Sequence, residues 1–242
     1  ILSGKKMEKQ HLVNIEQWYC LSYTFNSRRK FYKDNKGFLN NQERYSGRLI
    51  NRETEISLNS HMNTHIDFPA HCVKSGKFGE EYPLNFFHSQ NVSMVFFDLT
   101  KEEIPELTCK YFHKNITILN QVEILLINTN FHTLRDDKRY IWNSPIISRQ
   151  LPLFLKNQFP KLKIVGFDII SLTSQLNRNE GKMCHFNFLS RKGGREILVI
   201  EDMYFGNLKK DAIINEIFIA PFYYEKMDGA LCTVMVKCEG RK

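Results

Sequence analysis

The sequence has no uninterrupted apolar run approaching the ~18 residues that a membrane-spanning helix needs. Its opening stretch, Ile1-Leu-Ser-Gly-Lys-Lys-Met7, lacks the apolar centre of a secretory signal. The six cysteines, Cys20, Cys72, Cys109, Cys184, Cys232 and Cys238, form no CxxC pair and no zinc-finger spacing. That excludes a disulfide scaffold and predicts reduced, mostly buried thiols in a cytoplasmic protein. No GxSxG elbow is present, so a covalent serine mechanism is not expected. Repeats, low-complexity tracts and long Pro/Gly/Ser linkers are also missing, which leaves a single domain. Residues 1–17 read as an N-terminal extension or an added leader, and residues 18–242 as the domain itself.

What is present is ordinary globular composition: 242 residues, 42% hydrophobic, 25% charged and 13% aromatic, enough chain to bury a sizeable core. The formal net charge is +8, yet lysine and arginine are spread along the chain, with short clusters only at Arg28-Arg29-Lys30 and Arg191-Lys192. Nucleic-acid binders concentrate charge on a stripe, so this pattern reads as a solvated basic surface, with neither a nucleic acid nor a membrane as partner. Such a surface also steers anionic small molecules.

Residues up to about 57 are polar and turn-rich (Lys33-Asp34-Asn35-Lys36-Gly37, Asn40-Asn41-Gln42-Glu43) and are expected to wrap the surface. Short β-branched or aromatic runs then follow at Val92–Leu99, Val122–Ile127, Ile164–Phe167, Ile197–Ile200 and Ile217–Ala220, the mark of buried strands. Between them Ser148–Phe159 carries Ile147, Leu151, Phe154 and Leu155 at helical spacing and stops before Pro160. Lys101–Glu106 and Leu208–Asn215 read as further short helices. Strands interleaved with helices predict an α/β fold with a mixed sheet flanked by helices.

The chemistry concentrates in His61-Met-Asn-Thr-His65-Ile-Asp67-Phe-Pro-Ala-His71. Two imidazoles and a carboxylate within seven positions form a ligand set for zinc, manganese or iron. In a helix, Asp67 would point away from His61 and His65, and Pro69 disfavours a helical Phe68. In a strand, positions 61, 65, 67 and 71 share one face, but His61 and Asp67 would lie ~20 Å apart, too far for one ion. A single site therefore requires a curved chain, for which Asn63 supplies a left-handed bend and Pro69 a fixed one. His71 is then left at the rim, free to move protons near neutral pH. The competing reading is a polar surface strand whose histidines do nothing.

This segment resembles the HxGTHxDxPxH motif of the metal-dependent cyclase/hydrolase family, which includes bacterial kynurenine formamidases and isatin hydrolases. Leu125-Leu126-Ile127-Asn128-Thr129 is similar to that family's central strand. Val165-Gly166-Phe167-Asp168 with Ser171 resembles its GxDxxS segment, His185 and Ile197-Leu198-Val199-Ile200-Glu201 its later histidine and strand-ending glutamate, and Pro221 and Asp228-Gly229 its closing segment. The resemblance covers residues 18–236. Two positions depart from it: Asn63 replaces the motif glycine, and Thr233 stands where the family often has arginine.

The second half of the chain supports a site independently. Arg191-Lys192-Gly193-Gly194 reads as a helix end with basic residues in its last turn and a glycine cap. A helix over 182–192 and a strand over 196–201, or a hairpin centred on Gly193, would bring His185 and Glu201 together. Glu201 closes an apolar run, so either it begins the loop Glu201-Asp202 or it is a buried carboxylate that needs a partner or a metal. His185 is either a site residue or a satisfied core histidine. His11, His88, His113 and His132 have no partners at ligand spacing and read as surface or structural. Cys72, next to His71, reads as buried packing. Phe68, Phe86 and Phe87 line either a pocket or the core, with the core favoured, and Asp168 and Ser171 either orient the site or cap a helix.

The resemblance implies a swivelling β/β/α domain and a metal-dependent amide hydrolase that assembles as a homodimer or higher homo-oligomer. His61, His65 and Asp67 would hold a first zinc or manganese ion, and Asp67 would bridge to a second held by His185 and Glu201. His71 would serve as general acid and base. The implied substrate is a small amide, lactam or lactone, with the aryl formamide N-formylkynurenine leading. The alternative is a non-catalytic binding protein on the same scaffold that uses its basic surface for an anionic partner.

Overall fold

The four strands that form the middle of the molecule are written almost entirely in Ile, Leu, Val and Phe. A computed structural model describes residues 15–25, 37–112 and 121–240. In it β6 (Val92–Phe96), β8 (Ile124–Asn128), β10 (Ile164–Phe167) and β11 (Leu198–Glu201) lie side by side and parallel. β8, β10 and β11 are buried at every position, as unbroken apolar runs in a parallel sheet should be.

The sheet continues in the antiparallel sense. β4 (His65–Asp67) lies between β11 and the long β13 (Gly229–Gly240), which in turn pairs with β12 (Ile214–Pro221) and with β1 (Ile15–Cys20). The full order is β5-β12-β13-β4-β11-β10-β8-β6, with β1 against β13 and β5 being His88–Ser89. Because β5 pairs with β12 and runs on after two residues into β6, the two ends of the sheet approach and it nearly closes on itself. The result is a single-domain α/β fold with a mixed sheet and few helices.

Three α-helices are present among the described residues: α1 (Arg139–Trp142), α2 (Leu151–Gln158) and α3 (Arg178–Leu189). α2 realises the periodicity expected over Ser148–Phe159, burying Leu151 and Leu155. α3 ends at Leu189, earlier than expected. Its last turn carries no basic residue, because Arg191 and Lys192 lie beyond Ser190, and the left-handed Gly193 and Gly194 shape the following turn instead. The charge expected there comes from outside the helix. Lys156 on α2 is buried and donates from Nζ to the carbonyls of Asn187 (2.5 Å), Ser190 (2.7 Å) and Lys192 (3.1 Å).

Several expectations are corrected. Lys101–Glu106 is a turn rather than a helix, since Pro105 interrupts it and Glu106–Leu107 pairs as β7 with β9 (Ile146–Ile147). Leu208–Asn215 is likewise not helical. It makes two isolated turns, Leu208 N to Phe205 O and Ala212 N to Lys209 O, before the β-branched Ile213-Ile214 enters β12. The region before residue 57 does not simply wrap the surface. β1 joins the main sheet, while β2 (Phe38–Ser46) and β3 (Leu49–Ser57) form a separate two-stranded hairpin, exposed over most of its length, that turns at Gly47. The clusters at 28–30 and 33–36, with His11 and His113, lie outside the described residues.

All six cysteines are free, and Cys184, Cys232 and Cys238 are buried. Cys72 is exposed, contrary to expectation. Alternation of faces does not apply there, because Pro69–His71 forms a 3-10 turn rather than a strand. Phe68 and Phe87 belong to the core, with Phe86 partly buried against it. No helix among the described residues is long and apolar enough to cross a membrane.

Candidate active site

The curvature that a single site requires is supplied where the residue types allow it. Asn63 sits at φ 57°, in the left-handed region that asparagine tolerates better than most side chains. The chain then straightens for only three residues and turns again at Pro69. Within that short strand His65 and Asp67 are two residues apart and share a face. The register places His65 opposite Glu201 on β11, and Asp67 opposite Gly229 on β13. His185 arrives from α3, whose Asn177 caps the N-terminus by accepting from the Glu180 amide (3.1 Å).

All six residues singled out in the sequence converge. His61 Nδ1 lies 2.8 Å from Asp67 Oδ1, and His65 Nε2 lies 3.4 Å from the same oxygen and 3.5 Å from Glu201 Oε2. His185 Nε2 is 3.0 Å from Glu201 Oε1 and 3.6 Å from Asp67 Oδ2. His71 packs against His61 with ring centres 4.0 Å apart and planes tilted by 43°, and it stands at the rim, while His65, Asp67, His185 and Glu201 are buried. These residues line one cavity of about 310 Å³ together with Asn59, Ile170, Ser171, Thr173, Arg178 and Lys182.

The donor set fits a divalent cation. Potential ligand atoms of His65, Asp67 and Glu201 lie within 4.8 Å of one another, as do those of His61, Asp67 and His71. Asp67 Oδ2 is buried and makes no hydrogen bond, a costly state for a carboxylate oxygen unless a cation completes it. His65 Nδ1 donates to the Asn63 carbonyl (2.8 Å) and His185 Nδ1 to the Gly181 carbonyl (3.1 Å). Those bonds leave both Nε2 atoms facing the carboxylates, the arrangement that orients imidazole ligands.

The electrostatics match. Burial pushes the His65 and His185 imidazoles down, but Asp67 and Glu201 outweigh it and hold both above the ordinary value. Burial raises the two carboxylates, and the surrounding imidazoles more than reverse that. His71 goes the other way, because burial lowers it and the distant carboxylates do not compensate.

Further residues surround these six. Asp228 Oδ2 lies 2.9 Å from His61 Nε2 and 3.8 Å from His71 Nδ1, so the closing Asp-Gly touches the site directly. Gly229 lets the His61 ring lie against the backbone, since a Cβ there would fall 2.3 Å from His61 Cε1. Arg135 donates to Asn63 Oδ1 (2.8 Å) and Asp202 Oδ2 (2.5 Å), joining the segment before His65 to the residue after Glu201. No local pattern marks Arg135. Asp168 caps no α-helix; it is buried and accepts from Thr129 N and Oγ1 and from His132 N and Nδ1, fixing the turn after β8. Ser171 lines the cavity, and His88 pairs with Glu216.

The Cyclase family model, a putative cyclase, matches residues 19–173, more than half of the chain. The chain belongs to the Cyclase family. A Haemophilus influenzae relative named only as an uncharacterized protein is 29% identical over 109 residues, spanning 44% of this chain and 75% of its own. Isatin hydrolase A from Labrenzia aggregata, bound to benzyl benzoate, superposes with a TM-score of 0.76 at 14% identity, covering 93% of this chain and 94% of that one. A potential metal-dependent hydrolase with cyclase activity superposes at 0.68 with 18% identity, over 94% and 100% of the two chains. At these identities the structural likenesses establish a shared fold. In this Cyclase family chain, Asn63 in place of the motif glycine keeps the left-handed bend and adds two hydrogen bonds, one from Arg135 and one to the Tyr23 carbonyl (2.6 Å).

Proposed function

We propose that this chain is a metal-dependent hydrolase of small amides, with His61, His65, Asp67, His185 and Glu201 holding one or two zinc or manganese ions. The observation that carries this reading is Asp67 Oδ2, a buried oxygen without a hydrogen bond that lies 3.6 Å from His185 Nε2, on a carboxylate whose other oxygen faces His61 and His65. A divalent ion bound there supplies Lewis acidity, lowering the pKa of water toward ~7 and polarising the scissile carbonyl.

The chain's own residues perform the proton transfers. Burial lowers the His71 pKa below its ordinary value, which favours the neutral imidazole that can accept a proton. Its Nδ1 faces Asp228 Oδ2, which leaves Nε2 to take the proton from the attacking water and lets Asp228 stabilise the imidazolium that forms. As the C–N bond breaks, the same Nε2–H returns the proton to the departing nitrogen. Asn63 O and Gly181 O keep His65 and His185 from turning away.

By family resemblance the leading substrate is an aryl formamide such as N-formylkynurenine, cleaved to formate and the free amine in a homodimer. The fold shared with isatin hydrolases supports a lactam as the other class. The test is elemental analysis of protein purified without a histidine tag or chelator, followed by assays on formamides and lactams. One or two equivalents of transition metal per chain are expected. His71→Ala should retain the metal and lose ~10²–10⁴ in rate. Protein that is metal-free and takes up neither added zinc nor manganese would overturn the reading.

A further inference from the structure

The three imidazoles that face Asp67 do not turn the same nitrogen toward it. His65 and His185 present Nε2 and give Nδ1–H to the backbone carbonyls of Asn63 and Gly181. His61 is reversed. Its Nδ1 lies 2.8 Å from Asp67 Oδ1, and its Nε2, on the other edge of the ring, lies 2.9 Å from Asp228 Oδ2. Where a backbone carbonyl fixes each of the other two rings, a side-chain carboxylate fixes this one.

Asp228 is itself held in place. It stands just before β13, and its backbone carbonyl accepts from Phe68 N (3.0 Å). The two residues before it, Lys226 and Met227, donate their amides to Glu80 (2.6 and 3.1 Å), and Met227 O accepts from Gly79 N (2.9 Å). The two oxygens of its side chain meet different partners. Oδ1 accepts from Ser60 Oγ (3.2 Å) and from the Tyr224 hydroxyl (3.3 Å), which also reaches the Gly229 carbonyl. Oδ2 faces His61 Nε2 and, at 3.8 Å, His71 Nδ1.

A neutral imidazole carries one N–H, so an acceptor at Nε2 keeps the proton there and leaves the Nδ1 lone pair for a cation. We propose that Asp228 is the positioning residue that makes His61 an Nδ1 ligand, the opposite of the Nε2 ligation of His65 and His185. This rests on the metal site of the hydrolase reading and adds a residue to it. Because the same Oδ2 faces His71, one carboxylate orients both a ligand and the proton-accepting ring packed 4.0 Å from it.

Long-range proton–nitrogen correlation spectra of the zinc-loaded protein tell a metal-bound ring nitrogen from one that carries a proton, and they require no substitution. Zinc at Nδ1 with the proton at Nε2 is expected for His61, and the reverse for His65 and His185. In Asp228→Ala with native far-ultraviolet circular dichroism, the zinc dissociation constant should rise about tenfold. That is the lower end of the usual effect of such a partner, since the Asp228 side chain is 41% exposed. Asp228→Asn keeps an oxygen that can accept from Nε2–H, so it should recover most of that loss with His61 still bound through Nδ1. Zinc on His61 Nε2 in the native chain, native affinity in Asp228→Ala, or an asparagine variant as weak as the alanine one would each overturn the proposal and leave the hydrolase reading standing. Zinc held in the expected pattern by a chain that cleaves neither formamides nor lactams would count against the hydrolase reading alone. A chain that takes up no zinc would overturn both.

Discussion

Replacing Arg135 with Met should destabilise the protein far more than a typical surface change and should also loosen the site. The Arg135 and Asp202 side chains are 6% and 4% exposed and meet at 2.5 Å. Arg135 also reaches Asn63 Oδ1 and lies over the Tyr23 ring, 3.2 Å from its centre. Asp202 keeps the Tyr140 hydroxyl (2.6 Å) but would lose the Arg135 guanidinium. Breaking one side of a buried pair costs ~3–5 kcal/mol, because the partner charge stays buried without that counter-charge. At ~2–4 °C per kcal/mol for a chain of this size, thermal unfolding should fall by roughly 6–20 °C.

The source of that cost is separable. In Arg135→Met the buried Asp202 carboxylate loses its neighbouring guanidinium, so its protonation is favoured in the folded state and the deficit should shrink as pH falls from 8 to 5. In Arg135→Met/Asp202→Asn the charge is gone, and at least half of the loss should return. Both corners that Arg135 ties together, Asn63 at φ 57° and Asp202 at φ 55°, adjoin proposed ligands, so zinc affinity should weaken ~10–100-fold in the single variant. Chemical denaturation across pH, with zinc titration, measures all three effects. A single-variant loss below ~1 kcal/mol, or a double variant no more stable than the single one, would refute the argument from a buried charge stripped of its guanidinium.

Zinc uptake at neutral pH should release protons, because Asp67 and Glu201 hold the His65 and His185 imidazoles above their ordinary pKa until a cation replaces those protons; affinity should therefore fall with falling pH. Calorimetry in two buffers of different ionisation enthalpy counts the protons, and a count of zero would contradict the ligand assignment. Gly229→Ala should push the His61 ring off its seat and cost at least ~10-fold in zinc affinity while the far-ultraviolet circular dichroism stays native. Lys156, pushed down to about 8 by burial, is protonated more readily in the unfolded chain, so native stability should rise with pH between about 8 and 10. That rise should be absent in Lys156→Met, whose overall stability should also drop with the loss of three carbonyl contacts.

The parts of this fold legible in the sequence are those decided by local pattern. Ile164–Phe167 needs no partner to be read as a buried strand, because its apolar run is unbroken, and β10 occupies those four residues. The helix over Leu151–Gln158 follows from its own spacing and from Pro160. Most of the site was legible for the same reason: four of its six residues fall within eleven positions, bent by Asn63 and Pro69 within that stretch. β1 and the β2–β3 hairpin were missed because their polar residues show no apolar alternation. β1 is a strand because β13 offers it an edge, which no property of residues 15–20 announces.

What remained hidden is what depends on contacts across the fold. Arg135 lies 72 residues from Asn63 and 67 from Asp202, and nothing around it marks it out. Asn63, taken alone, looks like damage to a motif that calls for glycine. Yet glycine at φ 57° would satisfy only the backbone, whereas Asn63 satisfies the backbone, accepts from Arg135 and donates to Tyr23 O. Its own carbonyl also fixes His65. The departure from the motif thus ties the bend to the far side of the site. The six residues nonetheless converge beside this substitution, and the buried Asp67 and Glu201 carboxylates face the imidazoles that offset their burial.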